Sequence, residues 1–133
     1  MTRIVLADDH YVVRKGIKTL LGGESDFDIV GEAEDGLETI DLVVKLQPDI
    51  LVLDLMMPKL NGLEVIRQVS LRSPATRIVV LSIHSSEAYV TEALRCGAKA
   101  YILKESPPEE LVFVIREVAA GRCGFCSFLT QPL

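Results

Sequence analysis

Four short apolar runs, each followed by a side chain that can take part in chemistry, constrain the fold of this chain more than any other feature. The runs and the residues after them are 4–7 with Asp8 and Asp9, 50–53 with Asp54, 78–81 with Ser82, and 100–103 with Lys104. Continuous apolar runs of this length are typical of strands buried on both faces of a parallel sheet. Parallel strands end at one edge of a sheet, where α/β proteins bind their ligands. We therefore expect these side chains to meet at one site.

Strand-like and helix-like segments alternate five times along the chain, and the second strand is a patchier stretch at residues 27–33. Five βα units in series predict a parallel sheet with right-handed crossovers and helices on both faces. Unbroken apolar runs place the strands before Asp9, Asp54 and Ser82 at the centre, and polar residues place the second and fifth strands at the edges. The pattern predicts an α/β protein, a flavodoxin-like (βα)5 three-layer sandwich whose five-stranded sheet has the order 2-1-3-4-5.

Capping residues and apolar spacing predict where the helices begin, end and pack. The predicted starts are at Asp35, Asn61, Ser85 or Ser86, and Ser106, and the predicted stops are at Gly22, Pro48, Ser73 and Gly97. Apolar residues recur at helical spacing in the first helix at Val13, Ile17, Leu20 and Leu21, in the second at Leu37, Ile40 and Val44, and in the fifth at Leu111, Val114, Ile115 and Val118.

Length, charge and cysteine content limit the class of protein. A chain of 133 residues suits one domain, and a formal net charge of −5 argues against a nucleic-acid surface, which needs a basic face. No apolar segment approaches the roughly 20 residues that span a bilayer. The start does not resemble a signal peptide, because its short apolar stretch runs straight into two aspartates. Three cysteines without a framework spacing fit a reducing compartment, so we expect a soluble, cytoplasmic protein.

The character of the sequence changes near its end. We expect residues 1–121 to form the domain and residues 122–133 to form a tail, because the tail has no helical period and little charge. Three explanations of the tail remain open: a disordered segment, a docked strand fragment, or a stretch introduced by cloning.

The converging side chains predict phosphoryl chemistry with a metal ion. Two unit charges about 4 Å apart repel by about 4 kcal/mol at an effective dielectric constant near 20, so clustered carboxylates need a cation, a proton or a neighbouring base. Oxygen ligands suit Mg²⁺, and Asp8 and Asp9 form a pair that can hold it. Lys104 and Ser82 suit the oxygens of a phosphoryl group. Asp54, alone on a central strand, is the best candidate for a nucleophile that forms an aspartyl phosphate.

The ordered set of motifs resembles the receiver domain of bacterial two-component response regulators from Arg3 to about Gly121. The motifs are Asp8-Asp9, Asp54-Leu-Met-Met-Pro58 followed by Gly62, then Ser82, and Gly97-Ala98-x-x-Tyr101-x-x-Lys104. Three further stretches resemble the NarL/FixJ-type branch, whose members usually carry a C-terminal helix-turn-helix domain: Leu81-Ser-Ile-His84, Leu103-Lys-Glu-Ser106 and Ala119-Ala-Gly121.

The resemblance implies a role for each residue at the metal site. Asp54 accepts a phosphoryl group from the phosphohistidine of a sensor histidine kinase. Asp9 and Asp54 ligate Mg²⁺, Asp8 acts through water, and the backbone carbonyl of Met56 is the third protein ligand. The domain then catalyses only its own phosphorylation and dephosphorylation and is not otherwise an enzyme.

The resemblance also implies a switch. Lys104 pairs with the phosphoryl group, Ser82 moves to hydrogen-bond one of its oxygens, and Tyr101 turns inward to fill the space that Ser82 leaves. The surface around the fourth and fifth helices changes, and phosphorylation is compatible with homodimer formation. Met56 and His84 flank the site, where they either tune the phosphoryl lifetime or only pack the loops.

Three other functions are compatible with parts of the sequence. An aspartyl phosphatase of the haloacid-dehalogenase class needs a second carboxylate two residues after its nucleophile, and Met56 occupies that position. A receiver-like interaction module could work without phosphorylation, although all the site residues are present. Cys123 and Cys126 have the spacing of a redox pair but follow the last helix, where no helix start lowers a thiol pKa.

DNA binding belongs to another part of such a regulator. The chain has no helix-turn-helix pattern and a net negative charge, so we expect no DNA binding by the chain itself and no contact with a membrane. It is either a truncated regulator, followed by a helix-turn-helix domain in the full-length protein, or a stand-alone receiver that acts through protein contacts. His10 is expected to be a surface residue at a helix start, and Cys96 a structural cysteine.

Overall fold

All strands of the sheet run parallel, as the apolar runs predict. The computed structural model describes residues 1–122 and 125–126, and within them six strands form one sheet. The strands are β1 (Thr2–Ala7), β2 (Phe27–Ala33), β3 (Ile50–Leu53), β4 (Arg77–Ser82), β5 (Ala100–Leu103) and β6 (Phe125–Cys126). The helices are α1 (Tyr11–Gly22), α2 (Gly36–Leu46), α3 (Gly62–Arg72), α4 (Glu87–Cys96) and α5 (Pro108–Ala119). The strand order β2-β1-β3-β4-β5-β6 confirms the predicted order of the first five strands and the flavodoxin-like α/β fold.

The sheet continues by one short strand beyond β5. Phe125 and Cys126 pair in parallel with Ala100 and Tyr101, so β5 is not the outermost strand there, contrary to the expectation that it forms an edge. The pairing of these two residues agrees with a docked strand fragment, one of the three explanations of the tail. Cys123, and with it the proposed redox pair, lies outside the described residues, as do residues 124 and 127–133. The boundary at residue 121 stays a prediction.

The core lies on both faces of the sheet, which explains why the strands are apolar at successive positions. One layer packs α2, α3 and α4 against alternate strand residues such as Val5 and Leu51. The other packs α5 and part of α1 against the intervening residues, such as Ile4 and Val52. Because both faces are covered, the apolar residues of the central strands are all buried, and the polar side chains of the site follow at the strand ends.

Side-chain caps fix three helix starts. Asp35 accepts a hydrogen bond from the Glu38 N–H at 2.8 Å, as predicted for α2. The Asn61 side chain accepts from Leu63 N–H at 2.8 Å at the start of α3. Ser86 rather than Ser85 caps α4, through its hydroxyl and the following helix backbone. At the end of α4, Gly97 has φ of +127°, which a glycine adopts without steric cost.

The predicted buried faces of α1 and α2 need correction, by one position in α1 and by two in α2. Val13 and Leu37 are exposed, whereas Arg14 on α1 and Thr39 on α2 are buried. The predicted face of α5 is confirmed, because its four apolar residues are all buried. None of the helices in the described part of the chain is both long and apolar enough to cross a membrane.

Candidate functional site

The ends of β1, β3 and β5 bring two carboxylates and one amine into contact. Lys104 Nζ lies 2.9 Å from Asp8 Oδ2 and 3.3 Å from Asp54 Oδ2. Asp8 and Asp54 are each 3% exposed, and the Lys104 side chain is 14% exposed. Residues that lie 46 or more positions apart in the sequence thus form one buried charge cluster at the sheet edge.

Backbone amides hold each carboxylate in its orientation. The Met56 N–H donates to Asp54 Oδ1 at 3.1 Å, and the His10 N–H donates to Asp8 Oδ1 at 2.8 Å. The second oxygen of each carboxylate faces Lys104 at ion-pair distance but has no well-directed hydrogen bond. Two buried carboxylate oxygens without a hydrogen-bond donor are costly unless a cation compensates their charge.

Burial and neighbouring charges shift the ionisation of this cluster. Burial raises the pKa of Asp54 above its usual value, and the nearby Asp8 charge adds to the rise, although the Met56 N–H and Lys104 oppose it. Burial alone would lower the pKa of Lys104, but contact with Asp8 and the charges of Asp54 and Asp8 outweigh this effect and raise it. Lys104 therefore remains a cation beside a carboxylate whose ionised form is energetically costly.

The acidic cluster is chemically suited to a divalent cation. Ligand atoms of Asp8, Asp9, His10 and Asp54 all lie within 4.8 Å of one another. Asp9 is at the rim, with its side chain about one-third exposed, while Asp8 and Asp54 are buried. The three carboxylates supply the oxygen ligands that Mg²⁺ requires, and the rim position of Asp9 leaves room for water ligands.

Ser82 and Tyr101 contact the same peptide segment beside the cluster. Ser82 is fully buried, and its hydroxyl oxygen accepts from the His84 N–H at 3.1 Å. Tyr101 is also fully buried, and its hydroxyl donates to the His84 carbonyl at 2.8 Å. The His84 ring stacks on Tyr89 of α4 with ring centroids 5.1 Å apart. Tyr101 thus takes the inward position in this structure, and His84 links both predicted switch residues to α4.

The loop after Asp54 is held by a close backbone approach at Gly62. A Cβ atom at this position would lie 2.6 Å from both the Cα and the carbonyl oxygen of Leu55. On the other side of the loop, the Gly36 N–H donates to the Pro58 carbonyl at 3.2 Å. Gly62 therefore allows α3 to begin directly against the residue that follows Asp54.

Substitution of Gly62 by alanine is expected to lower the free energy of unfolding by about 1–3 kcal/mol, the usual cost of overpacking. The clash is with backbone atoms of Leu55, which cannot move aside as a flexible side chain can. Chemical denaturation measures the change. Gly22→Ala is the matched control, because a Cβ there meets nothing within 4 Å, and its effect should be neutral or slightly stabilising. Equal free energies of unfolding for the two variants would contradict the close approach.

Arg14 is a component of the site that the sequence did not reveal. Its buried guanidinium donates to the backbone carbonyl of Asp8, to Glu32 at 3.1 Å and to Glu34 at 3.2 Å. It thereby ties α1 to the ends of β1 and β2 and fixes the backbone that presents Asp8. A possible signal was its position on α1, two helical turns before the buried Leu21.

His10 is the second such component. Its Nδ1 lies 3.3 Å from Asp8 Oδ1 and 3.2 Å from Asp9 Oδ1. It precedes α1 at the cap position, as expected of a helix-start residue with 64% side-chain exposure, but its side chain makes no capping hydrogen bond. Its place directly after the acidic pair was the available signal.

Comparisons with known proteins agree on one family. The family described as "Response regulator receiver domain" matches residues 4–116. The chain is 42% identical over 119 residues to the transcriptional regulatory protein DegU of Brevibacillus brevis, covering 90% of this chain and 50% of that protein. It is 41% identical over 130 residues to the nitrate/nitrite response regulator protein NarL of Escherichia coli strain K12, covering 98% of this chain and 60% of that protein. The chain thus spans about half the length of these curated relatives.

Solved structures agree with the sequence comparison. The signal receiver domain of the putative response regulator NarL from Mycobacterium tuberculosis aligns with a TM-score of 0.87 and 35% identity, over 91% of this chain and 98% of that one. A two-component response regulator of the LuxR family from Aurantimonas sp. SI85-9A1 aligns with a TM-score of 0.89 and 36% identity, over 92% of this chain and 88% of that one.

Proposed function

We propose, since the chain belongs to the response regulator receiver domain family and is a phospho-accepting signalling switch of the NarL/LuxR type, that Asp54 is the residue that accepts the phosphoryl group. The observation that carries this assignment is the buried position of Asp54 beside Lys104 and Asp8. A carboxylate kept in an apolar setting, with a raised pKa, is poorly solvated and is therefore a better nucleophile than an exposed one.

The chemistry is a transfer between two nucleophiles. A carboxylate oxygen of Asp54 forms a bond to phosphorus, while the bond from phosphorus to the imidazole nitrogen of a kinase phosphohistidine breaks. Lys104 supplies a fixed positive charge for the phosphoryl oxygens, and the Met56 N–H keeps Asp54 oriented during the attack. Asp9 and Asp54, with Asp8 through water and the Met56 carbonyl, would hold Mg²⁺. When bound, that ion neutralises phosphoryl oxygens and helps orient them.

The signal would pass through the segment that Ser82 and Tyr101 share. A phosphoryl oxygen that draws the Ser82 hydroxyl away from the His84 N–H changes the hydrogen bonds of this segment. Tyr101, held inward by the His84 carbonyl, would then favour one arrangement of the segment between β4 and α4. We infer that α4, β5 and α5 present a different surface in the phosphorylated state.

The lifetime of the phosphoryl group is proposed to depend on Met56 and His84. Met56 is about half exposed beside the site, and His84 is half-buried on its other side. Both lie where they can limit the access of water to an acyl phosphate. Under this proposal the domain catalyses its own dephosphorylation and acts on no other substrate.

The whole protein is proposed to be a transcriptional response regulator. Relatives such as DegU and NarL carry names of this kind, and this chain covers 50% and 60% of their lengths. A sensor histidine kinase would phosphorylate Asp54 in the cytoplasm, and a helix-turn-helix domain beyond this chain would bind DNA. Homodimer formation on phosphorylation would couple the two events. The family and the intact charge cluster do not favour an interaction module that works without phosphorylation.

Incubation with acetyl phosphate and Mg²⁺ tests the proposal. We expect intact-mass measurement to show a gain of one phosphoryl group, and we expect chelation of Mg²⁺ beforehand to suppress the gain. The physical reason is that three carboxylates with one lysine repel a phosphoryl dianion unless a further cation is present. A protein that gains no phosphoryl group, although it is folded, would contradict the proposed function.

A further inference from the structure

The histidine after the acidic pair points its ring at the carboxylates of the site. His10 Nδ1 is 3.3 Å from Asp8 Oδ1 and 3.2 Å from Asp9 Oδ1, and a ring nitrogen of His10 belongs to the cluster of ligand atoms that lie within 4.8 Å of one another. One further observation makes the cluster more than a group of acids. Asp8 Oδ2 and Asp54 Oδ2 are buried without a hydrogen-bond partner, and Lys104 is the cation that both of them contact.

Simpler roles explain the position of His10 poorly. Asparagine, aspartate and serine are the residues that cap helices well, and the His10 side chain makes no capping hydrogen bond. An ion pair between the exposed His10 and the rim carboxylate of Asp9 contributes at most about 1 kcal/mol. What distinguishes an imidazole at this position is a nitrogen lone pair among oxygen ligands.

We propose that His10 Nδ1 is a nitrogen ligand of the divalent ion held by Asp9 and Asp54, and that it shifts the selectivity of the site from Mg²⁺ toward transition-metal ions such as Zn²⁺. The inference rests on the metal site of the proposed function and adds a residue and a selectivity to it. Mg²⁺ is a hard ion that takes oxygen ligands, whereas imidazole nitrogen suits Zn²⁺, Ni²⁺ and Cu²⁺. A site with three carboxylates and one imidazole therefore gains more affinity for Zn²⁺ than for Mg²⁺.

The consequence is that the two classes of ion compete for one site. A site of oxygen ligands alone would favour Zn²⁺ over Mg²⁺ only by the general order of metal affinities. With His10 as an additional ligand, low concentrations of Zn²⁺ displace Mg²⁺. The identity of the bound metal ion then influences the switch in addition to phosphorylation by the kinase.

Metal titrations of two His10 variants test the inference. His10→Asn replaces the imidazole by a residue that suits a helix start, and His10→Ala removes every side-chain ligand. Calorimetry with Mg²⁺ and with Zn²⁺ gives both dissociation constants for each protein. We expect the ratio of Zn²⁺ affinity to Mg²⁺ affinity to fall by about tenfold or more in both variants, a loss of the size seen when groups that support a metal site are removed. In the wild type, Zn²⁺ should also shift the ¹⁵N resonance of His10 Nδ1.

Asp9→Asn locates the binding. Zn²⁺ that still binds this variant belongs to other ligands, such as the cysteines, and is subtracted from the wild-type titration. Zn²⁺ binding that is the same in the wild type and in Asp9→Asn overturns the inference, as does an unchanged affinity ratio in both His10 variants. These results leave the proposed function intact if the wild type still binds Mg²⁺ and accepts a phosphoryl group. A wild type that does neither refutes the proposed function itself.

Discussion

Asp54→Asn is expected to abolish phosphorylation by acetyl phosphate and Mg²⁺. An amide oxygen is a far weaker nucleophile than a carboxylate, and neither Asp8 nor Asp9 is placed to replace it. Asp8 Oδ1 accepts the His10 N–H and its Oδ2 faces Lys104, while Asp9 lies at the exposed rim. Intact-mass measurement should show no added phosphoryl group in this variant. The expected effect is a complete loss rather than a reduced rate.

Asp41→Asn is the matched control for this prediction. Asp41 is an exposed carboxylate on α2, and its variant should gain the phosphoryl group as fully as the wild type. Loss of folding is not expected in Asp54→Asn, because burial raises the pKa of Asp54 and a neutral amide relieves the cost of that buried charge. A circular dichroism spectrum and an unfolding curve check this point. A phosphoryl group gained equally well by Asp54→Asn would show that another residue accepts it.

The strands and their end residues could be predicted because one physical fact determines both. A strand covered on two faces must be apolar throughout, so its first polar residue marks the sheet edge. For this reason Asp8, Asp54 and Lys104 could be expected to lie together. In the structure, both carboxylates lie within 3.3 Å of the Lys104 ammonium group. The caps at Asp35 and Asn61 were equally predictable, because their hydrogen bonds are local.

Arg14 could not be predicted because its burial depends on three partners outside its own helix, at the ends of β1 and β2. A charged residue is expected at the surface, and the apolar Val13 beside it was expected inside. The structure reverses the two, since the Asp8 carbonyl and the carboxylates of Glu32 and Glu34 satisfy the guanidinium. These partners meet only when the sheet forms, so no spacing within α1 reveals them.

The inward position of Tyr101 and the short strand β6 also could not be predicted from the spacing of residues in the sequence. Tyr101 lies on a strand with apolar neighbours, and its rotamer depends on a carbonyl distant in the sequence, that of His84, which accepts a hydrogen bond from the Tyr101 hydroxyl. The strand β6 has only two residues, Phe125 and Cys126, which is too short for any periodicity. Its position depends on the free edge of β5 rather than on its own composition.

Lys104→Met is expected to lower the free energy of unfolding by about 3 kcal/mol at neutral pH. The methionine keeps the length of the side chain but leaves Asp8 and Asp54 buried and facing each other without their shared cation. Removal of one partner from a buried ion pair costs about 3–5 kcal/mol, and the lower end applies because Lys104 retains some contact with solvent. Chemical denaturation measures the loss. The control Lys99→Met replaces an exposed lysine just before β5 and should change stability by less than about 0.5 kcal/mol.

The pH dependence of this loss follows from the two pKa shifts. Because the pKa of Lys104 is raised in the folded protein, its favourable contribution is complete below its ordinary pKa of 10.5 and disappears as the pH rises through the folded value. The raised pKa of Asp54 lies above 3.8, so as the pH falls through it the carboxylate takes up a proton and Lys104 loses one partner. The difference between the wild type and Lys104→Met should therefore be largest between these two pKa values and shrink on both sides. A difference that stays constant from acid to alkaline pH would show that the methionine acts through packing alone and that the ammonium does not neutralise the carboxylates.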